Sequence, residues 1–372
     1  MAGALDLSKS QRFWLEGCPS SQPNHSILDG EKLAFYIIPY LFLVGTFWSG
    51  LLLKVKVRDL LLLCSVPAVV LVVIRGDVGT DTASYIQILD SMQNVSGNLS
   101  GYGVEFGFYI FKVFLYLGLS PRTVALFISG LVCVLALFSF SRRRDDAIVF
   151  TFLVFPVFFY DMSMNGLRYG MAFCFAKLAA DYLDEKKLPL AVLFFVLAFS
   201  FHVSSLLVFV LLAIRKISRN ALVAFGALAL IGAAVSSDQI LLKMAAYESL
   251  ESPDGLSGLA PLMISILIFM ASLFFSPKSY IYLTFLLVSE LSSFVLAKYS
   301  YAGLRLQFLI LFVMCCGVPA LDVMHARRRP FFMLSLMLIG VVGFAASMRN
   351  MVNGQGEGES PFLPYHFFWE VK

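Results

Sequence analysis

Leu60-Leu-Leu-Leu-Cys-Ser-Val-Pro-Ala-Val-Val-Leu-Val-Val-Ile74 runs without a charge and then breaks into Arg75-Gly-Asp-Val-Gly-Thr-Asp-Thr-Ala-Ser-Tyr85. Backbone in hydrocarbon must satisfy its own polar groups, so such a run reads as a membrane helix and the polar stretch as its point of emergence. Gly76 and Gly79 let the chain turn sharply and approach a ligand, and Arg75 offers a planar fork that suits a phosphate. Thr80 or Asp81 can cap a following helix through Ile86, Leu89 and Met92, with Asp81 and Tyr85 four residues apart on one face. A turn of N–H groups, an arginine and a helix N-terminus together suit a diphosphate. The plainer reading is a capped loop in which Arg75 reaches lipid headgroups.

Composition extends the same reading to the whole chain. Hydrophobic residues make up 59% of the 372, with 37 Phe and only 14% charged, more apolar side chain than one soluble core can bury. The class expected is an all-α polytopic membrane protein. The net charge of +4 points to no nucleic acid, because its placement in short loops marks the cytoplasmic side instead. Five of the six cysteines lie in apolar runs and Cys18 stands alone, so neither a disulfide framework nor a metal site follows. Asn24, Asn94 and Asn98 stand in Asn-x-Ser acceptors, usable only in a eukaryotic secretory pathway; a bacterial chain is expected, and they are given no weight. Residues 1–32 form a polar tail without the pattern of a cleaved signal, leaving the first span to direct insertion.

Topology follows from the cations. The loop Lys54-Val-Lys-Val-Arg-Asp59 is expected in the cytoplasm, between spans 33–53 and 60–74, which puts Arg75 to Tyr85 outside. Residues 105–119 would make a helix of roughly 22 Å, short of a core about 30 Å thick, and read as interfacial or re-entrant. Arg142 to Arg144, Lys186 with Lys187, Arg215 to Arg219, Lys278 and Arg327 to Arg329 then fall on one side. The remaining spans are 122–140, 147–161, 166–183, 188–201, 203–214, 221–235, 260–276, 280–297, 303–321 and 330–348, about twelve crossings in all. The membrane domain is therefore 33–348, with outward loops 75–121 and 236–259 and an outward C-terminal segment 349–372.

In this topology Arg75, Asp77, Asp81, Arg168, His202 and Arg305 share one depth. Arg168, after Asp161 and Asn165, either binds an anion or pairs with Asp161 and lipid phosphate. His202, at an apolar turn beside Ser204 and Ser205, either takes a proton, bonds a phosphate or simply ends a helix. Arg305 sits a turn inside its span, where reaching a ligand and reaching the headgroups are equally easy. Glu290, mid-span among serines, needs a partner, a proton or a cavity: it pairs with an arginine or lines a proton path. Lys177 and Asp181 read as a structural ion pair. No Gly-rich nucleotide loop or metal-ligand spacing occurs, so no cofactor is expected.

The pattern Arg75-x-x-Val-Gly-Thr-Asp81-x-x-x-Tyr85, Leu167-Arg168-x-Gly-Met-Ala172, Phe201-His202-x-Ser204, Arg305 and Pro364-Tyr365 resembles the EpsG family of polysaccharide polymerases, which includes Wzy-type O-antigen polymerases. Tyr169 departs from it, since such proteins often have glutamine there. The resemblance implies a GT-C-like fold in the bacterial inner membrane, with the site facing the periplasm. It implies transfer of a growing glycan from undecaprenyl diphosphate to an incoming lipid-linked repeat unit, for O-antigen, capsule or exopolysaccharide. On this reading Arg75, Arg168 and Arg305 contact the diphosphate, and Asp81, with His202 second, is the base. Asp77, Gly79, Tyr85, Asn165, Glu290 and Tyr365 bind sugar or support the site. Partners would be the lipid-linked donor and acceptor, membrane lipids, a chain-length regulator and other assembly proteins. An O-antigen ligase, or a lipid-oligosaccharide flippase or transporter, is the alternative.

Overall fold

A computed structural model describes residues 28–94, 105–214, 257–275, 280–318, 328–353 and 360–370, and within them regular structure is helical. Helix α1 (Leu28–Leu52) begins inside the segment expected to be polar tail, and α2 (Val57–Val73) returns antiparallel to it. Then come α3 (Thr82–Asn94), a 3-10 turn (Phe106–Phe111) continued by α4 (Lys112–Tyr116), and α5 (Pro121–Phe140). Ser120 caps α5 by accepting from the Thr123 N–H, and Pro121 at the first position needs no N–H partner.

A short α6 (Arg144–Val149) runs into two π-helical stretches, Phe150–Phe159 and Asp161–Asn165. Pro156 lies inside the first and removes one amide donor from the ladder there. This strand of helix is buried almost throughout, packed with Phe150, Phe152, Phe155, Phe158 and Phe159. Helix α7 (Leu167–Asp184) follows, then α8 (Leu188–Phe201) and α9 (Ser205–Ala213), with α8 and α9 both lying on α7. The second half comprises α10 (Leu259–Phe275), α11 (Tyr280–Ala297), α12 (Tyr301–Cys316) and α13 (Arg329–Asn353). There α10, α11 and α12 pack on one another, while α13 closes on the π-helical stretch.

The outer surface carries apolar side chains that a water-soluble domain would bury, among them Leu63 at 69% exposure, Phe274 at 77% and Ile281 at 69%. Three described helices, Leu33–Leu52, Pro121–Phe140 and Arg329–Val352, are long and apolar enough to cross a membrane, and five shorter apolar ones accompany them. The 105–119 segment holds eleven helical residues split between two helix types, too short to span by itself. The expected span 221–235, most of the outward loop 236–259 and the acceptor sites Asn24 and Asn98 lie outside the described residues.

At the opposite helix ends from the Arg75 motif a charged network ties the bundle. Lys177 donates to Asp181 at 2.7 Å, as its spacing suggests, and also to Asp146 of α6 at 2.8 Å. Arg142 meets Glu185 at 2.7 Å and stacks over the Tyr182 ring.

Candidate active site

The Arg75 motif folds as a turn between α2 and α3, and its backbone is held by a segment that lies almost 300 residues away in sequence. Gly76 N–H donates to His366 O at 2.7 Å, Phe368 N–H to Ile74 O at 2.9 Å, and Gly79 N–H to Pro361 O at 2.9 Å. An isolated antiparallel bridge joins Arg75 to Phe367. Residues 360–370 are thus a strap across the motif rather than a free tail. Gly79 has φ +111°, and a Cβ there would stand 2.7 Å from Asn165 Oδ1, so only glycine fits both the turn and the approach.

That Asn165 oxygen accepts from the Thr80 N–H at 3.0 Å, while Asn165 Nδ2 donates to Asp161 Oδ1 at 3.0 Å. The Tyr169 hydroxyl donates to the other oxygen of Asp161, which gives the residue that departs from the family pattern a definite task. One hydrogen-bonded chain therefore links the motif to the start of α7. It also corrects the pairing expected for Arg168: Asp161 serves Asn165 and Tyr169, and Arg168 Nη1 instead donates to Glu105 Oε2 at 2.6 Å. Glu105 is 3% exposed and stands at the head of the 3-10 turn. Gly107 in the same turn packs against Ser200, which brings this segment to the end of α8 and to His202.

Arg75 is 1% exposed, so it does not face an open cleft. Nη2 donates to Ser129 Oγ at 3.0 Å, whereas Nε and Nη1 have no acceptor, an unusual state for a buried guanidinium. Asp77 points outward to Arg122, whose Nη2 donates to both carboxylate oxygens at 2.8 and 2.7 Å.

Asp81 is exposed at its outer side. Crowding by neighbouring protein nevertheless raises its carboxyl above the ordinary 3.8, against the pull of Arg305, Arg168 and a hydrogen bond from Thr80. Both arginines, which come from different helices, favour the ionised form of this carboxyl. Arg305 is also exposed.

His202 ends α8, and its Nδ1 accepts from the Ser204 N–H at 3.2 Å and lies 2.6 Å from Ser204 Oγ. Acceptance from an N–H requires a lone pair on Nδ1, so the proton sits on Nε2. In this geometry Ser204 engages Nδ1 and fixes the orientation of the ring at the end of α8.

Two expected sugar contacts are interior. Tyr85 is 4% exposed, with its hydroxyl 3.5 Å from the Arg168 N–H that it accepts, and its ring lies beside Phe108. Tyr365 is 6% exposed, donates to Leu71 O and stacks on Phe35. Both brace the elements that hold the arginines. Glu290 is fully buried and bonded to Gln307, not to an arginine, and belongs to a separate cluster. Sequence reasoning missed Glu105, Arg122 and the strap. Arg122 left a trace, in the Ser120-Pro121 cap that places it in a first helical turn, and Glu105 stands as an acid opening an aromatic run.

Membrane-length helices with an apolar exterior, enclosing arginines and carboxylates at their ends, define a helical integral membrane protein with a charged polar site. The chain belongs to the EpsG family, whose model matches residues 60–367. This is a family of Wzy-like polymerases and associates the chain with polysaccharide biosynthesis in a membrane. No curated protein and no solved structure matches the chain.

Proposed function

We propose that the protein is a glycosyltransferase of the bacterial inner membrane, GT-C-like with about twelve crossings. On this reading it polymerises lipid-linked repeat units on the periplasmic face for O-antigen, capsule or exopolysaccharide. The donor is a growing glycan on undecaprenyl diphosphate, and the acceptor is a sugar hydroxyl of the incoming unit. The observation that supports the chemistry is the exposed Asp81 carboxylate on a loop that Asn165, through the Thr80 N–H, ties to the start of the helix carrying Arg168.

In the transfer, the acceptor oxygen attacks the anomeric carbon and the carbon–oxygen bond to the diphosphate breaks. The bonding pair leaves with undecaprenyl diphosphate, and the acceptor proton passes to Asp81. Arg168 and Arg305 stabilise charge developing on the leaving group, so no nucleoside triphosphate is needed on that face. Arg75 contributes its positive charge from beneath the strap and meets the diphosphate directly when residues 360–370 move. His202 is the second candidate for the base, and the bonds of Glu105 to Arg168 and of Asn165 to Thr80 keep the arginine and the loop in register. Chain-length regulators and other assembly proteins are the expected partners.

The test is the length distribution of lipid-linked glycans in the native host with and without the gene. Loss of polymer with single repeats left on the outer face supports a polymerase. Accumulation of long lipid-linked polymer marks a ligase, and single repeats retained inside mark a flippase.

A further inference from the structure

A second polar cluster lies away from the Arg75 motif, where α10, α11 and α12 pack together. Gln307 Nε2 donates both its hydrogens, to Glu290 Oε1 at 3.0 Å and to Gly258 O at 3.0 Å. Those two bonds fix the amide orientation, because a flipped amide would press its oxygen against two acceptors. They leave Glu290 Oε2 and Gln307 Oε1, both fully buried and both without a hydrogen-bond partner. Each is an acceptor if Glu290 is ionised, and the two orphans sit on side chains already joined by one hydrogen bond.

Among the described residues no cation resolves the problem. Glu290 forms no ion pair among the described residues. Helix α10 carries no charged residue and α11 none besides Glu290. Arg305, the sole charged residue of α12, stands two positions from Gln307 and so points to nearly the opposite side of that helix. Lys298, just past α11, is turned to Ser257 O and the Phe294 ring.

We infer that Glu290 is a proton-binding site: the acid form donates from Oε2–H to Gln307 Oε1 and completes a cyclic acid–amide pair with the bond that Gln307 returns to Oε1. One hydrogen then satisfies both orphaned atoms, and the buried carboxyl is neutral. The pair is pressed against Gly258, where a Cβ would stand 2.1 Å from Gln307 Oε1, so the turn entering α10 is shaped around the amide. Because Gln307 and Arg305 share α12, the proton helps hold the helix that carries Arg305 into the polar site. Glu290 and Gln307 take no part in bond making or breaking in the glycan transfer.

Infrared difference spectroscopy of the full-length protein in lipid, with glutamate labelled in its side-chain carboxyl, tests this at neutral pH. The wild type should show a protonated-carboxyl carbonyl band that shifts with the label and is missing from Glu290→Gln. Glu290→Gln replaces the acid–amide pair by an amide–amide pair and should melt with the wild type, whereas Gln307→Leu, which leaves the acid unpaired, should melt lower. Absence of the band in the wild type, or its persistence in Glu290→Gln, overturns the inference. So does failure of Glu290→Gln to fold. A melting temperature raised by sodium over potassium in the wild type and not in Glu290→Gln, with no acid band, would assign the oxygens to a metal cation and also overturn it.

Discussion

Replacing Glu105 by Gln isolates the charge that holds Arg168. At a 2.6 Å separation and an effective dielectric of about 20, the Coulomb attraction between two unit charges is about 6 kcal/mol, most of it offset by the desolvation of both groups. Glu105 is 3% and the Arg168 side chain 22% exposed, so screening by water is modest on one side and partial on the other. Removing one partner of a buried pair generally costs about 3–5 kcal/mol, and the partial exposure of Arg168 together with the hydrogen bond that Gln retains brings the expected cost to about 2–3 kcal/mol. Arg168→Gln should cost a similar amount, because it removes the cation that faces the buried Glu105 carboxylate. The double variant should cost about 2 kcal/mol less than the sum of the singles. Unfolding equilibria in mixed micelles for the four proteins measure this coupling, and polymer length in the host shows whether an unguided Arg168 still works. Additivity within about 0.5 kcal/mol would refute the claim that Glu105 positions Arg168.

Three further outcomes are expected. Asp81→Asn should lower transfer by roughly 10²–10⁴-fold, as loss of a general base does. In the wild type the rate should fall as acid protonates Asp81, with a midpoint above 3.8 because crowding by neighbouring protein raises the carboxyl despite its exposed outer side, and the residual rate of the variant should lose that limb. A wild-type limb retained in Asp81→Asn would move the base elsewhere. Gly79→Ala forces an L side chain to φ +111° against Asn165 and should destabilise by about 1–3 kcal/mol, measured as a fall in melting temperature with loss of polymer. Asp77→Asn breaks only the half-exposed pair with Arg122, so its cost should stay within about 1 kcal/mol and polymer length should be kept. Strong loss of polymer there would instead give Asp77 a direct role in the chemistry.

Local pattern carried much of the helical layout. The apolar runs read as spans 122–140, 188–201, 260–276 and 280–297 appear as α5, α8, α10 and α11 with ends within one residue, because hydropathy and helix length are properties of consecutive residues. The break at His202 and the shortness of the segment after Glu105 were legible for the same reason. The π-helical stretch around Pro156 was not, since its five-residue bonding depends on what packs around it.

The candidate site divides along the same line. Arg75, Asp81, Arg168, His202 and Arg305 could be singled out because a charged or titratable group at the end of an apolar run is costly and therefore visible. Their contacts could not. Glu105 pairs with a residue 63 positions away and Asp77 with one 45 away, while the motif takes its backbone partners from Pro361 and His366. Arg75 was legible as a cation but not as an interior one, and Tyr365 was legible as part of a pattern but not as a brace on Leu71. The sequence by itself determined a helical membrane protein and the residues able to do chemistry, because these rest on local composition and periodicity. Only the tertiary structure decided which side chain faces which, because an unpaired charge or amide in a dry interior takes its partner from whatever segment packing brings alongside.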